Sequence, residues 1–368
     1  MKKHAINDYI NILKRTTPLL FFALVLFSAN LMGAVKVYPA PEGAILSNDY
    51  TVSVDGQKVA VYSAPGREGL GGNYSFAYFD CSGNANIEIS TAKSLDNLAI
   101  RPDNKAINQS VAGHKLKFSI SNPCQVSIEP DGINGPLLLF ANSIENNSPK
   151  NGDPNVIYYG PGIHKPGVIK LTDNQTLYIA GGAIVKGGVH AEGKNMKIMG
   201  RGILEGLDWE WKKGPQHFML TVENSANVTV QDIILKDSWL YSLMMGGCDN
   251  LSVNNVKIIG TRCGNEDGID ICNSGQVRIQ DCFIRTDDDC IAIKGIGYKR
   301  KAVDNVMIKR CTFWTDVANV YRIGAESEAD VLQNVTSQDI DIIHMESQQV
   351  TGNTYSLWYD FCFTIQPA

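Results

Sequence analysis

The amino-acid sequence predicts an all-β protein built from two parts, a β-sandwich followed by a parallel β-helix. Its 368 residues are 44% hydrophobic and 19% charged, and 34 of them are glycine. Glycine and asparagine favour turns, and the abundant valine and isoleucine favour strands. The first part alternates apolar and polar residues, whereas the second repeats one strand-rich pattern. This composition excludes a disordered chain and supplies enough apolar material for a core.

The N-terminal segment, residues 1–34, is typical of a secretory signal peptide. Its apolar stretch covers residues 19–27, which is far shorter than the roughly 20 residues that span a bilayer and follows basic residues such as Lys14 and Arg15. A basic start followed by a short apolar stretch marks a cleaved leader. We therefore expect a secreted or periplasmic protein without stable membrane insertion.

The net charge and the spacing of the cysteines indicate which partners and cofactors are not expected. Without residues 1–34 the formal net charge falls from -5 to -8, because that segment carries four basic side chains and one acidic side chain. An acidic surface argues against a nucleic-acid partner. The nine cysteines lack the paired spacing of zinc sites, so a metal site built on cysteines is not expected. We expect neither a metal nor another cofactor. A disulfide between Cys81 and Cys124 is one possibility in an exported chain.

Short alternating segments fill residues 35–145, for example TVSVDGQKVAVYSA, NIEIS and LKFSI. Turn residues separate them every eight to twelve positions, which is typical of an antiparallel sandwich. The polar segment from Ser143 to Asn155, SIENNSPKNGDPN, has no apolar periodicity and predicts a linker. We therefore expect an N-terminal sandwich domain at 35–145 and a second domain at 156–368.

After the linker the chain repeats itself every 23 to 29 residues. The repeats are NVTVQDIILKDS at residue 227, NLSVNNVKIIGT at 250, QVRIQDCFIRTD at 276, NVMIKRCTFWTD at 305 and NVTSQDIDIIHM at 334. One such unit cannot bury its apolar face alone, so the pattern predicts the stacked coils of a parallel β-helix over about residues 156–345. The equivalent inward positions are Ile233, Val256, Cys282, Cys311 and Ile340. Cys282 and Cys311 are therefore predicted to be buried, stacked hydrophobes.

Acidic residues gather in the second strand of two consecutive coils. NEDGIDIC spans 265–272 and TDDDCIAIKG spans 286–295. When the apolar positions of these strands are aligned, Asp267 lies over Asp289 at a coil spacing of about 4.8 Å, with Asp288 just before. Like charges at that spacing are costly unless they share a proton, a water or a substrate. Glycoside hydrolysis requires such an acid pair, and a calcium site of oxygen ligands is the rival interpretation.

Other polar side chains are predicted to line the same cleft. Asn319 falls in the column of Asp267 and Asp289 one coil later, and Tyr241 lies one coil earlier. The residues expected to bind substrate are Asn265, Tyr241, Asp270, Lys294, Asn319, Arg322 and Glu326. Four tryptophans, at positions 209, 211, 239 and 314, can stack on sugar rings or pack in the core. The basic run at 299–301 can recognise an anionic sugar or form a solvated loop.

NEDGID followed after 22 residues by DDDCIAIKG resembles the motifs of the polygalacturonase family of glycoside hydrolases, family 28, and of the related dextranase and isopullulanase family 49. The resemblance covers about residues 156–345 and implies a right-handed, pectin-lyase-like β-helix, which in the second family follows a β-sandwich. It implies an inverting hydrolase of a polysaccharide or oligosaccharide. Asp288 would be the general acid, while Asp267 and Asp289 would hold and deprotonate the water. We expect the enzyme to be a monomer.

This assignment carries geometric expectations. Adjacent strand residues point to opposite faces, so Asp288 and Asp289 can share one cleft only if the backbone bends at 286–289. Crowding should keep one carboxyl protonated, which suits Asp288 as the proton donor. The opposing carboxyl groups of an inverting enzyme should lie roughly 6.5 to 9.5 Å apart, or slightly less.

Two departures from the polygalacturonase pattern bear on the substrate. The Gly-His-Gly motif is replaced by NVYRIGAES, which puts Asn319 where the histidine should fall, and the Arg-Ile-Lys motif that holds a galacturonate carboxylate is missing. The family usually continues for more coils beyond the position of Ala368, so the sequence is either a divergent branch or truncated. We expect weaker dependence on galacturonate, with α-glucans and branched pectins open as substrates and Arg322 as the remaining carboxylate partner.

Two other functional classes suit the same fold. A polysaccharide lyase or epimerase abstracts a proton from a uronic acid and uses calcium or an arginine or lysine base. A carbohydrate-binding or adhesive solenoid without catalysis is the other alternative, and the missing histidine favours it. A secreted glycosidase remains the leading hypothesis, because three acids converge on one face of the solenoid.

Overall fold

The computed structural model describes residues 33–298, 302–324, 326–345 and 363–365. The predicted signal peptide lies almost entirely outside these ranges. Within them the helical structure is limited to one 3-10 turn, Asp103–Lys105, and the other elements are strands. No helix in the described ranges is long and apolar enough to cross a membrane. The all-β prediction is confirmed.

The first eleven strands form two sheets that pack face to face. They are β1 (Val35–Val37), β2 (Tyr50–Val54), β3 (Gln57–Val59), β4 (Val61–Ala64), β5 (Tyr74–Cys81), β6 (Ala85–Thr91), β7 (Ala99–Arg101), β8 (Gln109–Ala112), β9 (Lys115–Ile120), β10 (Gln125–Glu129) and β11 (Leu137–Ser143). One sheet has the order β3-β2-β6-β9-β8, and the other has the order β1-β5-β11-β10-β7 with β4 also paired to β5. Residues of both sheets, among them Val54, Ile89, Phe79 and Leu139, share one core. We call this unit the sandwich.

One strand pairing departs from the antiparallel prediction. β11 runs parallel to β5, with Phe140 opposite Tyr78. Every residue of β5 is buried, because one face of this sheet packs in the sandwich core and the other packs on the β-helix. Strands that are covered on both faces read as continuous apolar segments, so the alternation on which the prediction relied is absent there.

The remaining strands form the coils of a right-handed parallel β-helix, as predicted. They are β12 (Val156–Tyr159), β13 (Gly162–Leu171), β14 (Thr176–Ile179), β15 (Ala183–Ala191), β16 (Lys197–Gly200), β17 (Ile203–Glu205), β18 (Leu220–Glu223), β19 (Ala226–Gln231), β20 (Ile234–Lys236), β21 (Leu243–Gly246), β22 (Asp249–Asn254), β23 (Lys257–Gly260), β24 (Ile269–Cys272), β25 (Gly275–Gln280), β26 (Phe283–Thr286), β27 (Ile291–Lys294), β28 (Val303–Lys309), β29 (Thr312–Thr315), β30 (Tyr321–Ile323), β31 (Leu332–Gln338), β32 (Asp341–Met345) and β33 (Phe363–Ile365).

Each regular coil contributes one strand to each of three parallel faces. The first face has the order β12-β14-β16-β19-β22-β25-β28-β31. The second, which we call the covered face, has the order β17-β20-β23-β26-β29-β32, and the third, which we call the cleft face, has the order β18-β21-β24-β27-β30-β33. The long strand β15 joins the covered and cleft faces, and β13 pairs with β15.

Asparagines at the corners keep the coils in register. Asn195, Asn227 and Asn250 all have positive φ, between 56° and 57°, a conformation that asparagine tolerates better than most residues. The Asn227 Nδ2 donates to Asn195 Oδ1 at 3.0 Å, and the Asn250 Nδ2 donates to Asn227 Oδ1 at 2.7 Å. This ladder explains why several of the repeats begin with asparagine.

The cysteines behave mainly as buried hydrophobes. Cys282 and Cys311 are fully buried, and their thiols contact each other inside the β-helix, as the repeat alignment predicted. Cys272 and Cys290 are buried as well. Cys81 and Cys124 are free thiols in the structure, so the suggested disulfide between them is not formed here.

The sandwich packs on the covered face of the β-helix through a shared apolar core. Phe76 and Phe140 of the sandwich lie against Ile234 and Phe283 of the β-helix, and the rings of Phe140 and Phe283 meet edge to face with centroids 5.3 Å apart. A buried ion pair crosses the same interface: the Arg201 Nε donates to Asp80 Oδ1 at 2.9 Å. The two units therefore depend on each other for burial.

We expect Phe140→Ala to lower the free energy of unfolding by about 3 to 5 kcal/mol, because it removes a fully buried ring from the interface. Chemical denaturation followed by circular dichroism measures this loss. Val111→Ala is the control, since Val111 is 44% exposed and its truncation should change stability by less than about 0.5 kcal/mol. An equal effect of both substitutions would contradict the shared core.

Candidate active site

The parallel register of the cleft face stacks two aspartates. Ile269 pairs with Ile291, and Ile291 pairs with Tyr321. Two positions earlier in each coil the register places Asp267 over Asp289, and the Asp289 carbonyl accepts a hydrogen bond from the Gly268 N–H at 2.9 Å. Both side chains are almost completely buried, at 3% and 2% exposure. The predicted stacking is therefore present in the structure.

Asp288 joins this pair because the chain turns between β26 and β27. Hydroxyl groups of Thr286 and Thr315 donate to the Asp288 carbonyl at 2.7 and 2.9 Å, which fixes its backbone. Its partly buried carboxylate accepts a hydrogen bond from the Asp289 N–H at 2.9 Å and another from the Asn265 amide at 3.4 Å. The expected bend at 286–289 is thus found.

One carboxylate oxygen from each of Asp267, Asp288 and Asp289 lies within 4.8 Å of the other two. We call these three residues the acid cluster. These nearest oxygens lie closer together than the roughly 6.5 to 9.5 Å, or slightly less, expected between the carboxyl groups of an inverting pair. Oxygens this close can both hydrogen-bond one water, because two bonds of about 2.8 Å span the gap.

Burial and mutual repulsion raise the proton affinity of the cluster. Burial, followed by the charges of Asp270 and Asp288, raises the pKa of Asp267 well above its usual range. Burial and the Asp288 charge raise the pKa of Asp289 to about 7, although hydrogen bonds from Asn319 oppose the rise. Those bonds come from the Asn319 backbone N–H at 3.1 Å and from its side-chain amide at 3.0 Å. The site therefore retains a proton near neutral pH, and the raised pKa values that support this belong to the stacked pair, Asp267 and Asp289.

Two cations approach the cluster, Lys294 from the coil of Asp288 and Asp289 and Arg322 from the next coil. The Lys294 Nζ lies 2.9 Å from Asp270 Oδ1 and 3.7 Å from Asp267 Oδ2. The Arg322 Nε lies 3.8 Å from Asp289 Oδ2. Burial lowers the pKa of Lys294, but the charges of Asp270 and Asp267 outweigh it and raise that pKa overall. Lys294 thus stays protonated.

The other predicted substrate-binding residues lie around this centre. Tyr241 stacks on Phe218, with ring centroids 4.7 Å apart and planes 9° apart. The Lys294 ammonium donates to the Tyr241 hydroxyl at 3.2 Å. Glu326 is exposed at the rim, 3.9 Å from the Lys294 Nζ. The structure therefore brings all ten predicted site residues into one neighbourhood.

The tryptophans divide between core and surface. Trp239 and Trp314 are completely buried, so the suggestion that they stack on sugars is wrong for these two. Trp209 is partly buried against Trp239. Trp211 is 47% exposed, and its ring approaches Gly264, the residue before Asn265. The basic run at 299–301 lies outside the described residues.

Three contributors to the site were given no role in the sequence analysis, although two of them, Glu266 and Asp287, lie within its acidic motifs. Glu266 is fully buried behind Asp267 and accepts hydrogen bonds from the Arg262 and Cys263 N–H groups at 2.9 and 3.2 Å. Burial and the Asp237 charge raise the pKa of Glu266 to about 8. Asp287 is buried beside Asp288 and pairs with Arg67 of the sandwich at 2.7 Å. Long-range contacts of this kind are absent from any local pattern.

Among the described residues two groups have ligand atoms close enough for a metal ion, the acid cluster and the set of His190, Glu192 and Glu223. In the acid cluster Lys294 and Arg322 already supply positive charge near Asp267 and Asp289, and raised pKa values favour protons. Calcium prefers six to eight oxygen ligands. The cluster therefore suits proton transfer better than calcium binding.

The fold and the site define a parallel β-helix protein with a carboxylate cleft of the glycoside-hydrolase kind. Residues 189–348 match the model of glycosyl hydrolases family 28. This segment contains the acid cluster, so the part of the chain that holds the site is similar to that family, as its motifs indicated.

Individual relatives are similar over limited lengths. A polygalacturonase of Chamaecyparis obtusa is 30% identical over 201 residues, which is 44% of this chain and 39% of the relative. Rhamnogalacturonase A of Aspergillus niger is 28% identical over 122 residues, which is 32% of this chain and 25% of the relative. The chain thus spans less than half the length of these curated relatives.

Dex49A from Penicillium minioluteum is similar in structure. Its TM-score is 0.55 at 13% sequence identity, and the alignment covers 84% of this chain and 83% of that chain. At this identity the likeness shows the fold alone, and it extends over both the sandwich and the β-helix.

Glu266 should make stability depend on pH. Because its pKa is about 8 in the folded protein and 4.5 when unperturbed, the folded state holds a proton that the unfolded chain releases between these values. Stability therefore falls as pH rises through this window. Lowering the pH from about 7.5 to 5.5 should stabilise the protein, with about 2 kcal/mol of that gain due to Glu266.

Denaturant titrations at both pH values test this expectation. Glu266→Gln should lose that part of the pH dependence, because its amide does not titrate, whereas Glu42→Gln at an exposed position should retain it. An unchanged pH dependence in Glu266→Gln would show that the buried carboxyl does not retain its proton.

Proposed function

We propose that this protein is a secreted, monomeric glycoside hydrolase that cleaves a polysaccharide by general acid–base catalysis with inversion at the anomeric carbon. The acid cluster of Asp267, Asp288 and Asp289, with oxygens within 4.8 Å, is the observation that carries the proposal. Its place within a family-28-like segment supports it. The basic and apolar residues at the N-terminus support export.

The roles follow from burial and contacts. Asp288 is the most accessible member of the cluster, so we assign it as the acid that protonates the leaving oxygen. Asp267 and Asp289 are buried and stacked, and Asp267 Oδ1 has no hydrogen-bond partner among the described residues. They hold the attacking water. Asp289, whose pKa of about 7 leaves it partly ionised near neutral pH, accepts the water proton, while Asp267 keeps its own.

The short distance within the cluster favours one competing mechanism. Retaining glycosidases place their two carboxyl groups about 5 to 5.5 Å apart and pass through a covalent glycosyl-enzyme. Inversion remains our proposal because oxygens within 4.8 Å of each other leave room for one water hydrogen-bonded to two carboxylates. Proton NMR of the first-formed product separates the two mechanisms, and a retained anomer would overturn inversion.

A lyase or epimerase that uses Lys294 as its base is disfavoured. A general base must be unprotonated at the operating pH, whereas Asp270 and Asp267 hold Lys294 in its charged form. Ultraviolet absorbance of unsaturated products distinguishes elimination from hydrolysis.

Asp288→Asn should lower kcat about 10²- to 10⁴-fold with little change in KM, because the proton is needed only in the transition state. Reducing-end assays on pectate, rhamnogalacturonan, dextran and pullulan provide the measurement. Asp281→Asn is the matched control, since Asp281 is a corner aspartate paired with Arg310 at 2.7 Å. Near-normal turnover of Asp288→Asn would remove its role as the acid.

Arg322 is the best placed carboxylate partner for an acidic sugar, because it is 30% exposed and lies 3.8 Å from Asp289. Arg322→Ala should raise KM for an acidic oligosaccharide about tenfold or more, the loss expected for a charge-assisted hydrogen bond, and change KM for a neutral one much less. Arg278→Ala, on the exposed first face, is the control. Equal losses on acidic and neutral substrates would show that Arg322 does not recognise a carboxylate.

A further inference from the structure

The sandwich reaches the acid turn of the β-helix through the loop between β4 and β5. Gly66 of this loop forms a parallel bridge with Thr261, and the Arg67 N–H donates to the Thr261 carbonyl at 3.2 Å. Thr261 follows β23, whose last residue, Gly260, pairs with Thr286 of the next coil. The loop therefore lies directly beside the turn that carries the acid cluster.

Arg67 extends from this loop to a buried aspartate. Its NH1 donates to Asp287 Oδ1 at 2.7 Å, although the two residues are 220 positions apart. The Asp287 side chain is 3% exposed, whereas the Arg67 side chain is 41% exposed. Asp287 immediately precedes Asp288, the residue assigned as the acid, so this contact fixes the side chain next to the reacting group.

Glycines shape the loop that presents Arg67. A Cβ at Gly66 would lie 2.2 Å from the Gly72 carbonyl oxygen, and a Cβ at Gly71 would lie 2.4 Å from the Ile133 oxygen. Gly71 also has φ of +88°, which side-chain-bearing residues rarely adopt. The Arg67 carbonyl closes the loop by accepting from the Leu70 and Gly72 N–H groups at 3.1 and 3.2 Å. The loop is a defined structure rather than an extended linker.

We propose that Arg67 is a positioning residue for the acid turn, so that the sandwich completes the active site of the β-helix. This inference rests on the proposed function. Arg67 does not touch the reacting atoms; it acts through Asp287. It holds the Asp287 carboxylate toward the sandwich and away from Asp288, which keeps Asp288 directed at the leaving oxygen.

The charges around Asp287 explain why it needs this partner. The titratable groups that face it are Arg67, Asp288, Asp316 and Cys263. Burial raises the pKa of Asp287 to about 6, and Arg67 opposes that rise. The Asp316 carboxylate already forms an ion pair with Arg285, whose NH2 lies 3.3 Å from Asp316 Oδ2. Without Arg67, the Asp287 carboxyl would bind a proton more readily and would donate a hydrogen bond to a neighbouring carboxylate. Asp288 is the nearest of these in sequence.

A double-mutant cycle tests this role in the full-length chain. The variants are Arg67→Ala, Asp287→Asn, their combination, Arg67→Lys, and the control Arg310→Ala. Arg310 matches Arg67 in exposure, 45% against 41%, and in its 2.7 Å contact with an aspartate. Each variant is assayed for kcat and KM on the polysaccharide that the wild type cleaves, and for its melting temperature.

We expect Arg67→Ala to lower kcat about 10- to 100-fold with KM within about twofold, because small displacements of reacting groups cost that much. Arg67→Lys should restore part of the rate. The double variant should be no slower than the slower single variant, because both changes remove one contact. Arg310→Ala should retain wild-type kcat.

The other possible results show whether the role of Arg67 or the proposed hydrolase function is wrong. A wild-type kcat in Arg67→Ala, or a lower melting temperature alone, would limit Arg67 to holding the sandwich and overturn the inference while the hydrolase function stands. Additive losses in the double variant would also overturn it. If Arg67→Ala does not fold, Arg67→Lys and Asp287→Asn decide the matter. A wild type that cleaves no polysaccharide would overturn the function and this inference together.

Discussion

The fixed register between neighbouring coils is the constraint on which the site depends. Parallel strands in a β-helix lie about 4.8 Å apart, so equivalent residues in consecutive coils are stacked whatever their charge. Corner asparagines such as Asn227 and Asn250 prevent the coils from slipping. Asp267 and Asp289 are consequently held together, and the apolar ladders beneath them supply the stability that opposes their repulsion.

The sandwich buries side chains on the covered face of the β-helix that would otherwise be exposed to solvent. Residues that would point to solvent on the covered face are buried against β5 and β11, and several of them are polar. Arg285 is held between the rings of Tyr74 and Trp314, at 4.2 and 3.7 Å from the centroids. Cation–π contacts of a desolvated arginine can contribute about 2 kcal/mol. The same packing that anchors the sandwich therefore supports the turn next to the acid cluster.

The sequence repeats made much of this architecture predictable, because the same order of apolar and polar residues recurs in each coil and the repeats can be aligned with one another. The alignment that placed Cys282 on Cys311 also placed Asp267 on Asp289, and both follow from pairing within one solenoid. Contacts between the two units could not be predicted in this way. From the sequence, Trp314 could be an exposed ring that stacks on sugars. In the structure it is buried, because a sheet of the sandwich, far away in sequence, covers it. Arg67 contacts Asp287 across 220 positions and follows no local period.

The distribution of cations explains why the proton remains in the acid cluster. Lys294 contacts Asp270 at 2.9 Å, Arg67 contacts Asp287 at 2.7 Å, and Arg285 contacts Asp316 at 3.3 Å. These three acids that flank the cluster thus each have a close cationic partner. Inside the cluster, the cations stand farther away, Lys294 at 3.7 Å from Asp267 and Arg322 at 3.8 Å from Asp289. Negative charge is therefore least compensated where the three carboxyls meet, and a proton held there is available to a leaving oxygen.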